Sequence, residues 1–329
     1  MTSILEIENL FKTYPVSGGF FGGSKLKVHA VNGVSLQVAK GETLGIVGES
    51  GCGKTTLGLL FLRLLEPDSG KILFEGKDVT HLSQRSLRPV RSRMQMVFQD
   101  PYASLNPRMR AGEIIEEPLI IHKRGSAKQR QNEVMELLDL VGLKESDVDK
   151  YPHEFSGGQR QRIGIARAIA LKPDLIIADE PVSALDVSIQ GEIINLLKSL
   201  QQKFNLTYIF ISHDLKVVSQ ISDRIAVMYL GKIVETFPAT ELNHVKHPYT
   251  QALLSAVPIP DPTLQRKRKP LEGDVPSQVK IPSGCSFHPR CPYREEICYT
   301  VEPPLEQKGS PDHIASCHFT NKVPKEIPI

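Results

Sequence analysis

Three features of the sequence predict an α/β fold built on a parallel sheet. An apolar strand-like run, Thr43 to Val47, passes directly into a glycine-rich loop and then into an apolar helical run; strand, loop and helix in that order begin a parallel unit. Two more buried-type strands, Leu175 to Ala178 and Leu206 to Ile211, flank a helical run from Ile189 to Leu200, which continues the alternation. Length and composition agree with a folded chain of about two domains, because 329 residues with 40% apolar and 23% charged side chains are too apolar for disorder.

The remaining elements follow in order. From about Leu5 to Lys40 apolar and polar residues alternate, as in Val34, Leu36 and Val38, which predicts strands. The glycine-rich insert SGGFFGG interrupts them as a hairpin or loop. Between residues 100 and 155, Val134, Leu137, Leu138 and Val141 recur at i, i+3, i+4 and i+7, one face of a helix, so a helical insertion is expected there. The stretch DRIAVMYLGKIVE, Asp223 to Glu235, predicts two short strands around a turn at Gly231. Past Val257 six prolines (258, 260, 262, 270, 276 and 282) and the basic run Arg266 to Lys269 predict a linker or extended segment.

Charge and cysteine usage narrow the function classes. A net charge of +3, from 40 basic and 37 acidic residues, supplies no whole-chain field toward nucleic acid. The opening MTSILEIENL has no basic region before an apolar run, so no signal peptide is expected. The best candidate for a membrane span, Leu57 to Leu65, is short and cut by Arg63. A cytosolic chain is therefore expected, and disulfides are disfavoured there. Cys52 stands alone early in the chain, whereas Cys285, Cys291, Cys298 and Cys317 crowd its end.

Three motifs carry chemistry. Gly48, Glu49, Ser50, Gly51, Cys52, Gly53, Lys54 and Thr55 fit G-x-x-x-x-G-K-[ST] between a strand and a helix. In such a loop backbone amides curl around phosphates, lysine reaches the β/γ-phosphates and the threonine hydroxyl ligates Mg²⁺. The plainer reading is a glycine-rich turn with an accidental lysine, which the flanking strand and helix disfavour. Leu175 to Glu180 is an apolar strand ending in Asp179 and Glu180; beside a phosphate loop the first carboxylate can hold Mg²⁺ and the second can polarise an attacking water, although alone the pair could be a solvated loop start. Phe155 to Gln159 places Ser156, Gly157 and Gly158 at the start of a helical run, a second anion-binding terminus or a plain serine-capped helix.

These motifs, together with Gln99, the segment Ser183, Ala184, Leu185 and Asp186, and His213, resemble the ATP-binding cassette (ABC) ATPases in order and approximate spacing. The resemblance implies a P-loop NTPase of ABC type with an antiparallel β subdomain and a helical signature subdomain. It implies cassettes that pair head to tail, so that Ser156, Gly157, Gly158 and Gln159 of one contact the ATP held by the other. It assigns the catalytic base to Glu180, γ-phosphate sensing to His213, and Mg²⁺ contact to Thr55, Gln99 and Asp179, with Gln99 also meeting the attacking water and sensing the membrane subunits. Thr56 completes the nucleotide loop, the segment Ser183–Asp186 links across the dimer, and Tyr14 is either an adenine-stacking aromatic or a core tyrosine.

A narrower resemblance comes from VFQDPYASLNPRM (Val97 to Met109), HPYTQALLSAVP (His247 to Pro258) and SGCSFHPRCPYREEIC (Ser283 to Cys298). Together these look like the ATP-binding subunits of oligopeptide, dipeptide and nickel importers. That implies a sister ATPase, two transmembrane permeases, an extracytoplasmic substrate-binding protein and a peripheral position at the cytoplasmic membrane face, with no nucleic acid. The expected division is a nucleotide-binding domain over 1–256, its helical subdomain about 100–165, and a proline-rich linker with a small C-terminal metal-binding extension over 257–329.

The cysteine spacing C-x5-C-x6-C-x18-C is unlike tight zinc knuckles. Four thiolates on a proline-broken segment suggest a metal centre in place of an apolar core. The resemblance points to a [4Fe–4S] cluster on Cys285, Cys291, Cys298 and Cys317; zinc shared with His288, His313 or His318, and unliganded or redox-active thiols, are the alternatives. The expected activity is ATP hydrolysis that energises peptide import; nickel chelates or glutathione-like solutes are the nearest alternatives. A soluble ABC-type ATPase of ribosomes or DNA is the rival class, disfavoured by a single cassette without heptads, and losses at Glu180 or His213 that would mark a regulatory subunit are absent.

Overall fold

The computed structural model describes residues 2–16, 26–256 and 273–324. The SGGFFGG insert, the basic run and the first four prolines of the expected linker lie outside the described residues. The chain divides into two compact units, one of Met1–Ala39, Thr43–Thr80 and Ser212–Ile329, the other of Lys40–Glu42 and His81–Ile211.

In the first unit the strands Ser3–Pro15 and Lys27–Ala39 pair antiparallel, from Leu5 opposite Val38 to Pro15 opposite Lys27. Ser69–Phe74 pairs with the other side of Ser3–Pro15, and Lys77–Asp78 follows it. The period-two pattern decides which side chains go inside: Val34 and Val38 are buried while Ser35 and Gln37 are exposed.

The same unit holds a mixed set of strands. Thr43–Val47, buried throughout, runs parallel to Arg224–Tyr229, with Leu44 opposite Arg224 and Val47 opposite Val227. The chain turns at Gly231, φ 81°, into the antiparallel strand Lys232–Pro238. Two short strands, Ile314–Ala315 and Glu306–Gln307, extend this set from the far end of the sequence, Ala315 lying opposite Glu235. The helix Lys54–Phe61 buries Leu57, Leu60 and Phe61, an i, i+3, i+4 stripe.

In the second unit Met94–Val97, Leu175–Asp179 and Thr207–Ser212 form a parallel ladder, with Gln95 opposite Ile176 and Ile177 opposite Ile209. Their near-continuous burial is what a parallel strand covered on both faces requires. The crossover helix runs Val187–Phe204, beyond the expected Ile189 to Leu200 at both ends, and stops where Asn205 turns left-handed at φ 52°. The stretch 100–155, where a helical insertion is expected, holds the helices Ala111–Ile121 and Ala127–Leu140, and Gly157–Ile169 follows it. Val134, Leu137, Leu138 and Val141 are all buried, each contributing about 1.5–3 kcal/mol.

Candidate functional site

In the first unit the loop from Gly48 to Gly53 joins the buried strand Thr43–Val47 to the helix that starts at Lys54. Two of its glycines have no substitute. A Cβ on Gly48 would lie 2.2 Å from the Met228 carbonyl oxygen, and one on Gly53, at φ +110°, 2.0 Å from that of Ala30. Lys54 is 5% exposed, and its Nζ donates to the carbonyls of Gly48 at 2.8 Å and Glu49 at 3.1 Å, so the ammonium is held over the loop. Ser50, Gly51 and Thr55 are exposed, and Thr56 is half-buried. Cys52 is buried, and burial raises its thiol above the ordinary range against the nearby Lys54 charge, so it packs as a small neutral residue.

Tyr14 lies near the end of Ser3–Pro15, opposite Val28. Val28 lines a cavity of about 300 Å³ with Glu49, Ser50, Gly51 and Cys52, whereas Tyr14 is not part of that lining. His213 is exposed between the strand Thr207–Ser212 and the helix Leu215–Ile221, whose first turn is capped by Asp214 through Lys216 N at 2.8 Å.

The loop is fastened from the C-terminal third of the chain, by residues to which the sequence reading gives no role. Glu49 N donates to Tyr249 Oη at 2.8 Å, and the Glu49 carboxylate accepts two bonds from Arg290, at 2.8 and 3.0 Å. The Arg290 guanidinium is 7% exposed and held well above its ordinary pKa, first by the bond to Glu49. Phe287, 1% exposed, packs edge-on to Tyr229 at 5.3 Å between centroids and against Tyr249 and His247. His247 is pulled down to about 4 by burial and accepts at Nδ1 from Tyr249 N, so it is a neutral packing group. Only HPYTQALL and FHPRCPY hinted at these contacts, and neither names its partner.

The tail is anchored a second time by His313. This side chain is fully buried between two carboxylates, Nε2 at 2.8 Å from Glu235 Oε1 and Nδ1 at 2.8 Å from Glu241 Oε2. Burial opposes its charge, but the two carboxylate hydrogen bonds outweigh that and leave its pKa raised.

These anchors correct the expected metal-binding extension. Among the described residues no group of three or more His, Cys, Asp or Glu side chains could hold a metal ion. Cys285, Cys291, Cys298 and Cys317 form no disulfide, and burial, reinforced by the neighbouring cysteines, pushes Cys285, Cys291 and Cys317 up to about 11. Both ring nitrogens of His313 are committed to carboxylates, His288 Nδ1 faces the Cys285 carbonyl, and His318 Nε2 faces that of Val301. Neither the [4Fe–4S] cluster nor the zinc alternative is therefore supported. Phe287, Arg290 and His313 instead anchor the tail to the body of the first unit.

In the second unit Asp179 is buried at the end of its strand and Glu180 follows in a left-handed conformation, φ 45°. The Glu180 amide bonds to the Ile211 carbonyl at 2.9 Å, and Ser183 returns both N and Oγ to the Glu180 carbonyl. These bonds fix the sharp turn that sets the carboxylate at the strand's end. Glu180 Oε2 accepts from Gln99 Nε2 at 3.0 Å, bringing together two residues 81 positions apart.

Ser156 caps the helix Gly157–Ile169. Its Oγ accepts from Gln159 N at 3.3 Å, and Gln159 Oε1 accepts from Ser156 N at 3.0 Å. Ser156 and Gln159 remain exposed, while Phe155 is buried. The two glycines allow the next segment to pack close. A Cβ on Gly157 would sit 3.3 Å from Leu185 Cδ2, and one on Gly158 2.6 Å from Ile189 Cγ2. Ala184 and Asp186 are exposed, and Ser183 and Leu185 half-buried.

The chain is similar to known proteins. The family model described as ABC transporter matches residues 31–183, and the one described as oligopeptide/dipeptide transporter, C-terminal region, matches residues 234–298. The chain is 53% identical over 321 residues to the oligopeptide transport ATP-binding protein AppF of Bacillus subtilis, covering 96% of this chain and 97% of that one. It is 55% identical over 304 residues to the probable peptide ABC transporter ATP-binding protein y4tS of Sinorhizobium fredii, with coverage of 92% and 86%. Among solved structures it is similar to the dimeric post-hydrolysis ATP-binding cassette MJ0796 bound to ADP and Pi, with a TM-score of 0.64 and 31% identity over 71% of this chain and 98% of that one.

Proposed function

The chain belongs to the ABC transporter ATP-binding proteins of the peptide and oligopeptide import type, and from that premise we propose that it binds and hydrolyses ATP to drive peptide import. The observation that carries the catalytic part is the Glu180 carboxylate, fixed at a strand end and held 3.0 Å from the Gln99 amide. A carboxylate so oriented is suited to accept a proton from an attacking water.

The other roles follow from residue chemistry. The amides of Gly48–Gly53 and the ammonium of Lys54 receive the phosphates, and His213 meets the γ-phosphate. The hydroxyl of Thr55, the amide oxygen of Gln99 and the carboxylate of Asp179 are hard oxygen donors of the kind Mg²⁺ takes. When bound, Mg²⁺ neutralises charge on the transferring phosphoryl group. Ser156–Gln159 offers the exposed start of a helix to the nucleotide of a second cassette, and Ser183–Asp186 lies beside that turn. Tyr14 stacks on adenine from the strand that pairs with Val28.

Two permeases, a sister ATPase and an extracytoplasmic binding protein complete the transporter. No helix among the described residues is long and apolar enough to cross a membrane, so attachment at the cytoplasmic face comes through the permeases. The exposed Phe98 and Tyr102 beside Gln99 supply apolar contact for a permease helix. Peptides are the favoured solute because the named relatives serve peptide or oligopeptide transport.

Glu180→Gln in the assembled transporter is expected to lower ATP turnover by about 10²–10⁴-fold while the full chain still binds ATP. Lys54→Ala is expected to lose tight ATP binding. Parental turnover in Glu180→Gln overturns the base assignment. Uptake of a labelled nickel chelate in preference to peptides overturns the solute.

A further inference from the structure

We propose that Arg290 and Tyr249 are positioning residues for the phosphate loop: they clamp Glu49 from the C-terminal third of the chain and hold the loop ready for the phosphates of a nucleoside triphosphate. The proposal rests on the reading of Gly48–Thr55 as the phosphate site.

Every polar group of Glu49 has a partner. Its amide donates to Tyr249 Oη, its carbonyl accepts from Cys52 N at 3.2 Å and from Lys54 Nζ, and its carboxylate takes both arms of the Arg290 guanidinium. A bidentate arginine–carboxylate pair fixes direction as well as distance. Both clamping residues are themselves immobilised. Tyr249 is fully buried, 4.6 Å from the Tyr229 ring, and Arg290 ends a one-turn helix, His288–Arg290, that follows buried Phe287. The loop they hold contains glycines at φ +78° and +110°, a conformation with many alternatives in a free chain. Restraining it beforehand removes an ordering cost that binding would otherwise bear. Arg290 also neutralises a carboxylate that would otherwise stand bare beside incoming phosphates.

The test is the Kd of the full chain for a fluorescent ATP analogue with Mg²⁺, measured beside thermal unfolding. Arg290→Gln and Glu49→Gln are each expected to weaken binding about tenfold, and the double variant no more than either single change, since both remove one interaction. Arg290→Lys is expected to recover part of the loss. In the assembled transporter KM for ATP should rise by a larger factor than kcat falls. If the pair only fastened the tail, the unfolding temperature would drop with Kd unmoved. If Arg290 acted only by neutralising charge, Glu49→Gln would bind as tightly as the parent. Either outcome overturns the proposal, as does strict additivity in the double variant. Should Arg290→Gln fail to fold, Glu49→Gln on the half-buried rim decides alone. Lys54→Ala separates the two readings: unchanged Kd in Lys54→Ala overturns the phosphate site itself, whereas lost binding there with unchanged Kd in Glu49→Gln overturns only the positioning role.

Discussion

The phosphate loop of the first unit is held by Tyr249 and Arg290, 200 and 241 positions from Glu49, whereas the Ser156–Gln159 turn of the second is held by a capping box spanning three positions. Both are glycine-containing helix starts, yet their shapes depend on different amounts of the protein. The Ser156–Gln159 turn draws its hydrogen bonds from its own short segment. The phosphate loop is a property of the tertiary structure, and whatever loosens the tail loosens the loop.

The most damaging way to break this contrast is His313→Ala, far from either turn in sequence. Where His313 is protonated, it leaves the fully buried Glu235 carboxylate without its charged partner, and removing one member of such a pair costs about 3–5 kcal/mol. A lower urea midpoint together with weaker nucleotide binding is expected, because the same tail carries Arg290. Weaker stability with unchanged binding would separate the tail from the loop.

Gly53→Ala comes next. The left-handed conformation alone costs an alanine about 1–3 kcal/mol, and the contact with Ala30 O adds to it. Nucleotide titration should show more than a tenfold loss, with a lower unfolding temperature.

Acidity sharpens the same comparison. The His313 pKa is raised in the fold, so its contribution is complete below the unfolded value of about 6.5 and is lost as pH rises through the folded value. Urea midpoints from pH 6 to pH 9 should fall in the parent and fall less in His313→Asn. The smallest effect is Ser156→Ala, where loss of the cap costs about 1 kcal/mol, seen as a small drop in unfolding temperature without change in the Kd of the isolated chain for ATP.

How much was legible in the sequence follows the same divide. The strand before Gly48, the apolar run before Asp179 and the serine before Gly157 each announce their structure within a few residues, because strand burial and helix capping are local. Gln99 and Glu180 could be found as separate motif positions, but not their hydrogen bond. Tyr249 and Arg290 stand in the motif segments HPYTQALL and FHPRCPY, and His313 stands among the zinc alternatives, but none of the three signals its partner, since a salt bridge across 241 residues leaves no periodicity and a buried histidine looks like any other. The cysteines misled for the opposite reason. Their crowding is visible in the sequence, while Tyr229 and Tyr249, the rings that bury Phe287, lie well upstream and could not be credited to the tail.

The short strand Ile314–Ala315 has a further consequence, for solubility. It occupies the backbone hydrogen-bonding side of Lys232–Pro238, whose own Ile233, Val234 and Phe237 are buried. Without it those amides and carbonyls would form an open apolar strand edge, a template for pairing with another copy of the chain. A protease that cut before Ile314 would uncover that edge, which two paired residues near the end of the sequence otherwise cover.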